Sequence, residues 1–214
     1  MYIPEYRFSE DFDFTLLDFN ITNAALESNI TSLFRWLREN ANLTLEIQKV
    51  DVHSSGDPAF YLNYVGPLQG QISSRFLKMD FTRGEILAYP LQKLPVLSTY
   101  SDLQNQEARL QVYSFEEILA EKLRSLLTRA EPRDLYDIHY ILSHQMVDVE
   151  QMKFNMSQKF ASKGFAVSDL NAILVKREKA FKRLWEARLS GQMPEIPPLE
   201  TVMRETNRFF QRHF

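Results

Sequence analysis

Arg7-Phe8-Ser9-Glu10-Asp11-Phe12-Asp13-Phe14-Thr15-Leu16 alternates, with Phe8, Phe12, Phe14 and Leu16 on one side and Asp11 and Asp13 on the other. A period of two marks a strand with one buried face. The carboxylates of Asp11 and Asp13 therefore leave that strand from the same face. Like charges held so close repel unless a cation or a proton lies between them. A divalent ion that takes oxygen ligands, such as Mg2+, resolves the conflict. Plain solvation on an exposed strand also resolves it, and for an isolated Asp-x-Asp that is the commoner reason.

Working outward, Thr22 can cap a helix whose apolar stripe is Ile30, Leu33, Phe34 and Leu37. Leu43, Leu45 and Ile47 then alternate, and Val50 and Val52 do so one step out of phase, which predicts a bulge or kink in that strand. Phe60 to Val65 and Ser74 to Thr82 read as further strands, parted by Gly66-Pro67 and Gly70 as turn signals. Arg109 to Tyr113 reads as the last strand. From Ser114 the period becomes helical. Ser114-Phe115-Glu116-Glu117 fits a capping box, with Glu117 reaching back to the cap. Pro132 suits the first turn of a second helix through Leu135, Ile138 and Leu142. Further helices run from about Val149 to Ser162, from Ser168 to Leu189 and, after a Pro-rich linker, from Leu199 to Phe214. The class is α+β, a mixed-sheet domain over 1–113 followed by a helical domain over 114–214.

The bulk numbers exclude several functions. The 214 residues suffice for one large domain or two small ones, and 44% hydrophobic with 25% charged residues is ordinary for a globular chain. No apolar run nears the roughly 20 residues of a membrane span, and no secretory signal is visible. Cysteine is absent, so disulfides, thiolate metal sites and thiol nucleophiles are excluded. A cytoplasmic protein is expected. The formal net charge of −3 argues against whole-molecule attraction to nucleic acid and leaves room for a local basic face. Lys176, Arg177, Lys179, Lys182, Arg183 and Arg188 lie on one helix with Phe181 and Trp185. Most such helices show water a charged face and pack their aromatics inward. His53, His139, His144 and His213 show no ligand spacing, and Glu10, Glu116 and Glu117 read as capping or solvated residues.

Three further positions carry chemistry. Leu77, Met79 and Phe81 alternate with Lys78 and Asp80, so a strand beside the first would bring a third carboxylate and a cation to Asp11 and Asp13. Three carboxylates on adjacent strands make a platform for metal-assisted in-line transfer; the bland alternative is the solvated side of an edge strand. Lys122 falls within the apolar stripe of Leu119, Leu123 and Leu126, where an unpaired ammonium is costly. Either it snorkels at the edge or it reaches a carboxylate or a phosphate. Asp134 and Asp137 share a helix face nearby. Asp134 suits the helix's first turn electrostatically, and Asp137 is expected to pair with Lys122 or Arg133.

These segments resemble a known family. Arg7-Phe8-Ser9-Glu10-Asp11-Phe12-Asp13-Phe14 is similar to its acidic strand, and Leu77-Lys78-Met79-Asp80 to the strand bearing its third acidic residue. Glu116 to Leu126, then Arg133-Asp134-Leu135-Tyr136-Asp137-Ile138, resembles its helical signature, the most specific part. The family is the AbiEii-type nucleotidyltransferases, toxins of bacterial toxin–antitoxin and abortive-infection modules. The resemblance implies a polymerase-beta-like nucleotidyltransferase core and a helical C-terminal domain. It implies Mg2+ on Asp11, Asp13 and Asp80, with Lys122 on the nucleotide phosphates. It also implies Ser9, Lys78, Arg133, Asp134 and Asp137 as substrate contacts. The substrates implied are a nucleoside triphosphate and an RNA acceptor, tRNA among them, and an antitoxin is encoded nearby. One departure is plain. The family carries a Gly-Gly-Thr/Ser segment ahead of the acidic strand, and residues 1–10 hold no glycine, so the 1–113 core reads as incomplete at its N-terminus. A catalytically inactive member that only binds a partner, and a metal-dependent nuclease, stand as alternatives.

Overall fold

In chain order the elements are β1 (Asp11–Leu16), α1 (Asn23–Ala41), β2 (Thr44–Val52), β3 (Pro58–Val65), β4 (Leu77–Arg83), β5 (Gln92–Pro95) and β6 (Arg109–Val112), followed by five helices. These are α2 (Phe115–Thr128), α3 (Pro132–Ser143), α4 (Val149–Ala161), α5 (Leu170–Leu189) and α6 (Leu199–His213), with a 3-10 turn over Val167–Asp169. The computed structural model describes residues 6–9, 11–65, 77–96, 108–129, 131–144 and 146–214. The turns expected at Gly66-Pro67 and Gly70, the start of a strand at Ser74, and Glu10 lie outside the described residues. No helix among the described residues is long and apolar enough to cross a membrane.

The chain divides into two compact units, a sheet unit of Ser9–Glu85 and a helical unit of Met1–Phe8 with Ile86–Phe214. In the sheet unit the strand order is β1-β4-β3-β2. β1 runs parallel to β4, and the other pairs are antiparallel. The α1 helix starts where Thr22 accepts the N–H of Ala25 and stops at Asn42, which adopts φ 50° and returns its N–H to Leu37. Its Leu26, Ile30 and Phe34 bury against Phe60, Leu62 and Phe81 of the sheet. Leu33 departs from its expected place in that stripe and is 50% exposed, because a helix on one sheet face needs only the narrow 26–30–34–37 line. The phase slip in β2 is a register shift between Ile47 and Lys49, which keeps Leu45, Ile47, Val50 and Val52 on one face.

β1 begins at Asp11 rather than Arg7. The residues before it bond elsewhere: Phe8 donates its N–H to Gln192 O at 2.8 Å, its ring is exposed, and the Arg7 side chain belongs to the helical unit.

In that unit Leu119, Leu123, Leu135, Phe160, Phe181 and Phe210 are wholly buried, each contributing about 2–3 kcal/mol through burial. Phe181 and Trp185 of α5 face this core, and Trp185 donates its ring N–H to Pro197 O at 2.9 Å. The basic face of α5 is thus the water-facing side of a packed helix, with Lys182 on Glu178 at 2.6 Å.

The compact units do not divide at Ser114, where the period changes. Ser114 accepts the Glu117 N–H as a cap should. The Glu117 carboxylate, however, does not reach back to the cap, and it is neither solvated nor exposed. It accepts the N–H groups of Ala88 and Tyr89 at 2.9 Å each and the Lys159 ammonium at 2.5 Å. Lys159 also bonds Ile86 O at 2.8 Å and pairs with Glu121. This buried knot ties residues 86–89 to α2 and α4, so the helical unit starts ahead of its helices. Burial alone would lower Lys159, but the Glu117 and Glu121 carboxylates hold it above the ordinary lysine range.

Candidate active site

Phe81 and its alternates Leu77 and Met79 pack against α1, so Lys78 and Asp80 leave the opposite face of the sheet. The register sets Asp13 opposite Asp80 and Asp11 opposite Lys78 on the parallel pair β1–β4. Three aspartates and a lysine therefore share one face of two adjacent strands. Asp80 is engaged there: the Lys78 ammonium lies 2.6 Å from its Oδ2, and His53 Nε2 lies 3.2 Å from its Oδ1. Partial burial would lower Lys78, but the bond to Asp80 keeps it raised. Ser9 is exposed, and its hydroxyl donates to Asp11 O at 3.1 Å. His53 is the residue that spacing missed, since no rule of sequence connects it with Asp80. Ala59, opposite both Asp51 and Asp80 on β3, leaves the lane across which His53 reaches.

The donor chemistry suits a hard divalent cation, since carboxylate oxygens side by side on neighbouring strands are what Mg2+ takes. Among the described residues, no three His, Asp or Glu side chains converge closely enough to hold an ion. The positions fit, while the Asp80 carboxylate faces Lys78 and His53.

The helical unit holds the second group. Lys122, 26% exposed at its side chain, places its ammonium 2.9 Å from Asp137 and 3.3 Å from Asp134, so it reaches carboxylates rather than snorkelling. Both aspartates are 1% exposed. The guanidinium beside Asp137 is that of Arg7, not of the neighbouring Arg133. Arg7 donates to both carboxylate oxygens at 2.7 Å, and the Tyr6 hydroxyl donates to the same group. Arg129 binds Asp134 at 2.8 and 3.3 Å. Burial would raise Asp137, yet the Arg7 and Lys122 cations hold it below the usual carboxylate range. Lys122 is likewise raised by Asp137 and Asp134 despite its own burial. Asp137 therefore stays ionised as an anchor for Lys122, not as a proton acceptor. Local spacing points to neither Tyr6 nor Arg7, because Arg7 stands 130 residues from its partner.

Comparison with known proteins identifies the family and the fold. The profile described as "Nucleotidyl transferase AbiEii toxin, Type IV TA system" matches residues 1–210. No curated protein matches the chain. Among solved structures, the nucleotidyltransferase toxin MenT4 (Rv2826c) of Mycobacterium tuberculosis H37Rv is similar at 17% identity and a TM-score of 0.59, over 96% of this chain and 68% of that one. JHP933 of Helicobacter pylori is similar at 17% identity and a TM-score of 0.57, over 98% and 77%. At that identity the likeness shows the fold, a mixed-sheet nucleotidyltransferase core with a helical part. The family profile spans both units, the acidic strands as well as the lysine helix. This chain belongs to the AbiEii nucleotidyltransferase toxin family of type IV toxin–antitoxin systems.

Proposed function

We propose that the protein acts in the cytoplasm, moving a nucleotide from a nucleoside triphosphate to a hydroxyl of RNA, tRNA among the acceptors. Asp11, Asp13 and Asp80 would hold Mg2+. The observation that carries this reading is the Asp13–Asp80 pair on parallel strands, with Asp11 two residues before on the same face. Bound there, Mg2+ would screen the triphosphate charge and stabilise the attacking and leaving oxygens. The acceptor oxygen bonds to the α-phosphorus as the bond to pyrophosphate breaks in line. The residues orient the substrates: Lys78, now on Asp80, is free to turn to a substrate phosphate once that carboxylate binds a cation. On the strength of the family motif, Lys122 is the lysine that contacts the triphosphate. Asp134 and Asp137 hold its ammonium, and Arg7 braces Asp137. Ser9 and Arg133 complete the substrate contacts on the strength of the family motif. The antitoxin is encoded nearby.

A second reading has its own support. The engagement of Asp80 by Lys78 and His53 favours a member that binds a partner without catalysis. Incubation with each labelled nucleoside triphosphate, Mg2+ and total tRNA separates the two. Label on RNA that Asp13→Ala abolishes supports transfer. A folded protein that labels no RNA with any triphosphate sinks it in favour of binding alone. RNA shortened in the absence of triphosphate would instead make the chain a nuclease.

A further inference from the structure

The register draws a second row across the same sheet face: Asp11 on β1, Lys78 on β4, Tyr61 on β3 and Lys49 on β2 stand opposite one another in turn. We propose that Lys49, Tyr61 and Lys78 form the subsite for the RNA strand that receives the nucleotide, the ammonium groups binding its phosphates and the phenol ring stacking on a base. This rests on the transferase reading above and adds to it where the acceptor lies.

The Tyr61 ring is flanked from both neighbouring strands, with the Lys49 ammonium 5.3 Å and the Lys78 ammonium 5.8 Å from its centroid. Both contacts fall within cation–π range. Lysines that served only to neutralise Asp51 and Asp80 would need no aromatic ring between them. Aromatic rings beside cations are the means by which proteins hold single-stranded nucleic acid, and a base takes the ring face as the ammonium above it moves onto the flanking phosphate. Lys49 is accessible, its side chain 63% exposed, and its partner Asp51 is 40% exposed at 2.7 Å. Exposed pairs of this kind are weak, so a phosphate can replace Asp51 at little cost.

Position adds to chemistry. Adjacent strands lie about 4.8 Å apart, and two residues along a strand advance about 7 Å. The Asp13–Asp80 pair stands two residues beyond this row on the same strands. An RNA strand lying on Lys49, Tyr61 and Lys78 thus brings its terminal hydroxyl within about one nucleotide of the carboxylates. Stacking on Tyr61 is indifferent to base identity, so the subsite selects an unpaired end rather than a sequence.

The same lysines and ring could instead take a nucleoside triphosphate, and the test separates the two sources. Binding of a fluorescent single-stranded oligoribonucleotide and of a labelled nucleoside triphosphate is measured on the full chain, beside transfer of label to RNA. The variants are Tyr61→Leu, Tyr61→Phe, Lys49→Gln and, on the basic face of α5, the pair Lys179→Gln with Arg183→Gln. Thermal unfolding confirms that each is folded. Tyr61→Leu and Lys49→Gln are expected to weaken oligonucleotide binding about tenfold and raise the RNA KM with little change in kcat. Tyr61→Phe is expected to bind as the parent does, and triphosphate binding to stay unchanged throughout. Loss confined to triphosphate binding, or loss only in the α5 pair, overturns the subsite. Transfer with an unaltered RNA KM in folded Tyr61→Leu overturns it too and leaves the transferase intact. RNA binding that depends on Tyr61 in a protein that transfers nothing keeps the binding row and removes the transferase.

Discussion

Two sets of aspartates, one in each unit, have opposite surroundings. On the sheet, Asp13 is exposed and Asp80 is 19% exposed at its side chain, with Lys78 and a half-exposed His53 for company. In the helical unit, Asp134 and Asp137 are 1% exposed, and each is gripped by two cations. The first set sits where water can exchange for a ligand and where neighbours can turn away. The second set is neutralised already, and removing any member strands a buried charge. Carboxylates of the first kind can take up a cation and a substrate. Those of the second kind serve to hold Lys122 and to tie the chain's first described residues to α3.

That contrast can be broken most sharply with Asp13→Ala. Nucleotide transfer is expected to fall about a thousandfold, the several kcal/mol a metal site contributes to the transition state. The unfolding midpoint should barely move. A large loss of stability with transfer retained would put Asp13 in the structural class instead. Asp137→Ala should do the reverse to stability, costing about 3–5 kcal/mol because Arg7 and Lys122 lose a buried partner. Denaturant unfolding measures it, and a cost below about 1 kcal/mol would show the clasp to be slack.

The pH dependence follows from the same clasp. Asp137 and Glu121 lie below their ordinary values, so their contribution is complete above about pH 4–5 and is lost as pH falls through the folded values. Lys122 and Lys159 lie above theirs, so their contribution is complete below about pH 10 and is lost as pH rises through the folded values. Stability is therefore expected to be level between about pH 5 and 10, with Asp137→Ala flattening part of the acid limb. An unfolding midpoint that drifts steadily across neutral pH would contradict this. The smallest effect is at the cap of α1. Thr22→Ala frees the Ala25 N–H and should cost about 1 kcal/mol, by thermal unfolding, without touching transfer.

Periodicity carries a good deal of this fold. Helices α1 to α6 begin and end near their capping and Pro signals, because those signals are local hydrogen-bonding and dihedral preferences. The shared face of Asp11 and Asp13 follows from the pleat alone, and the slip in β2 from its change of phase. Lys122 stood out because an ammonium in an apolar stripe demands a partner. The partners themselves were only half legible. Asp134 and Asp137 lie close in sequence, whereas Arg7 is recruited from the far end of the chain. Glu117 had a sound local explanation as a capping residue, and burial gave its carboxylate another task.

The sequence by itself determined the helices and most of the strands, the acidic face of β1 and the need to satisfy Lys122, since these depend on residues within a few positions of one another. Only the tertiary structure decided that β1 lies parallel beside β4, which puts Asp13 against Asp80 and runs Lys78, Tyr61 and Lys49 in line. It likewise decided that Arg7 closes on Asp137 and that Glu117 is buried with Lys159. Strand order and long-range ion pairs are chosen by how whole elements bury their apolar faces together, and no short window of sequence contains that choice.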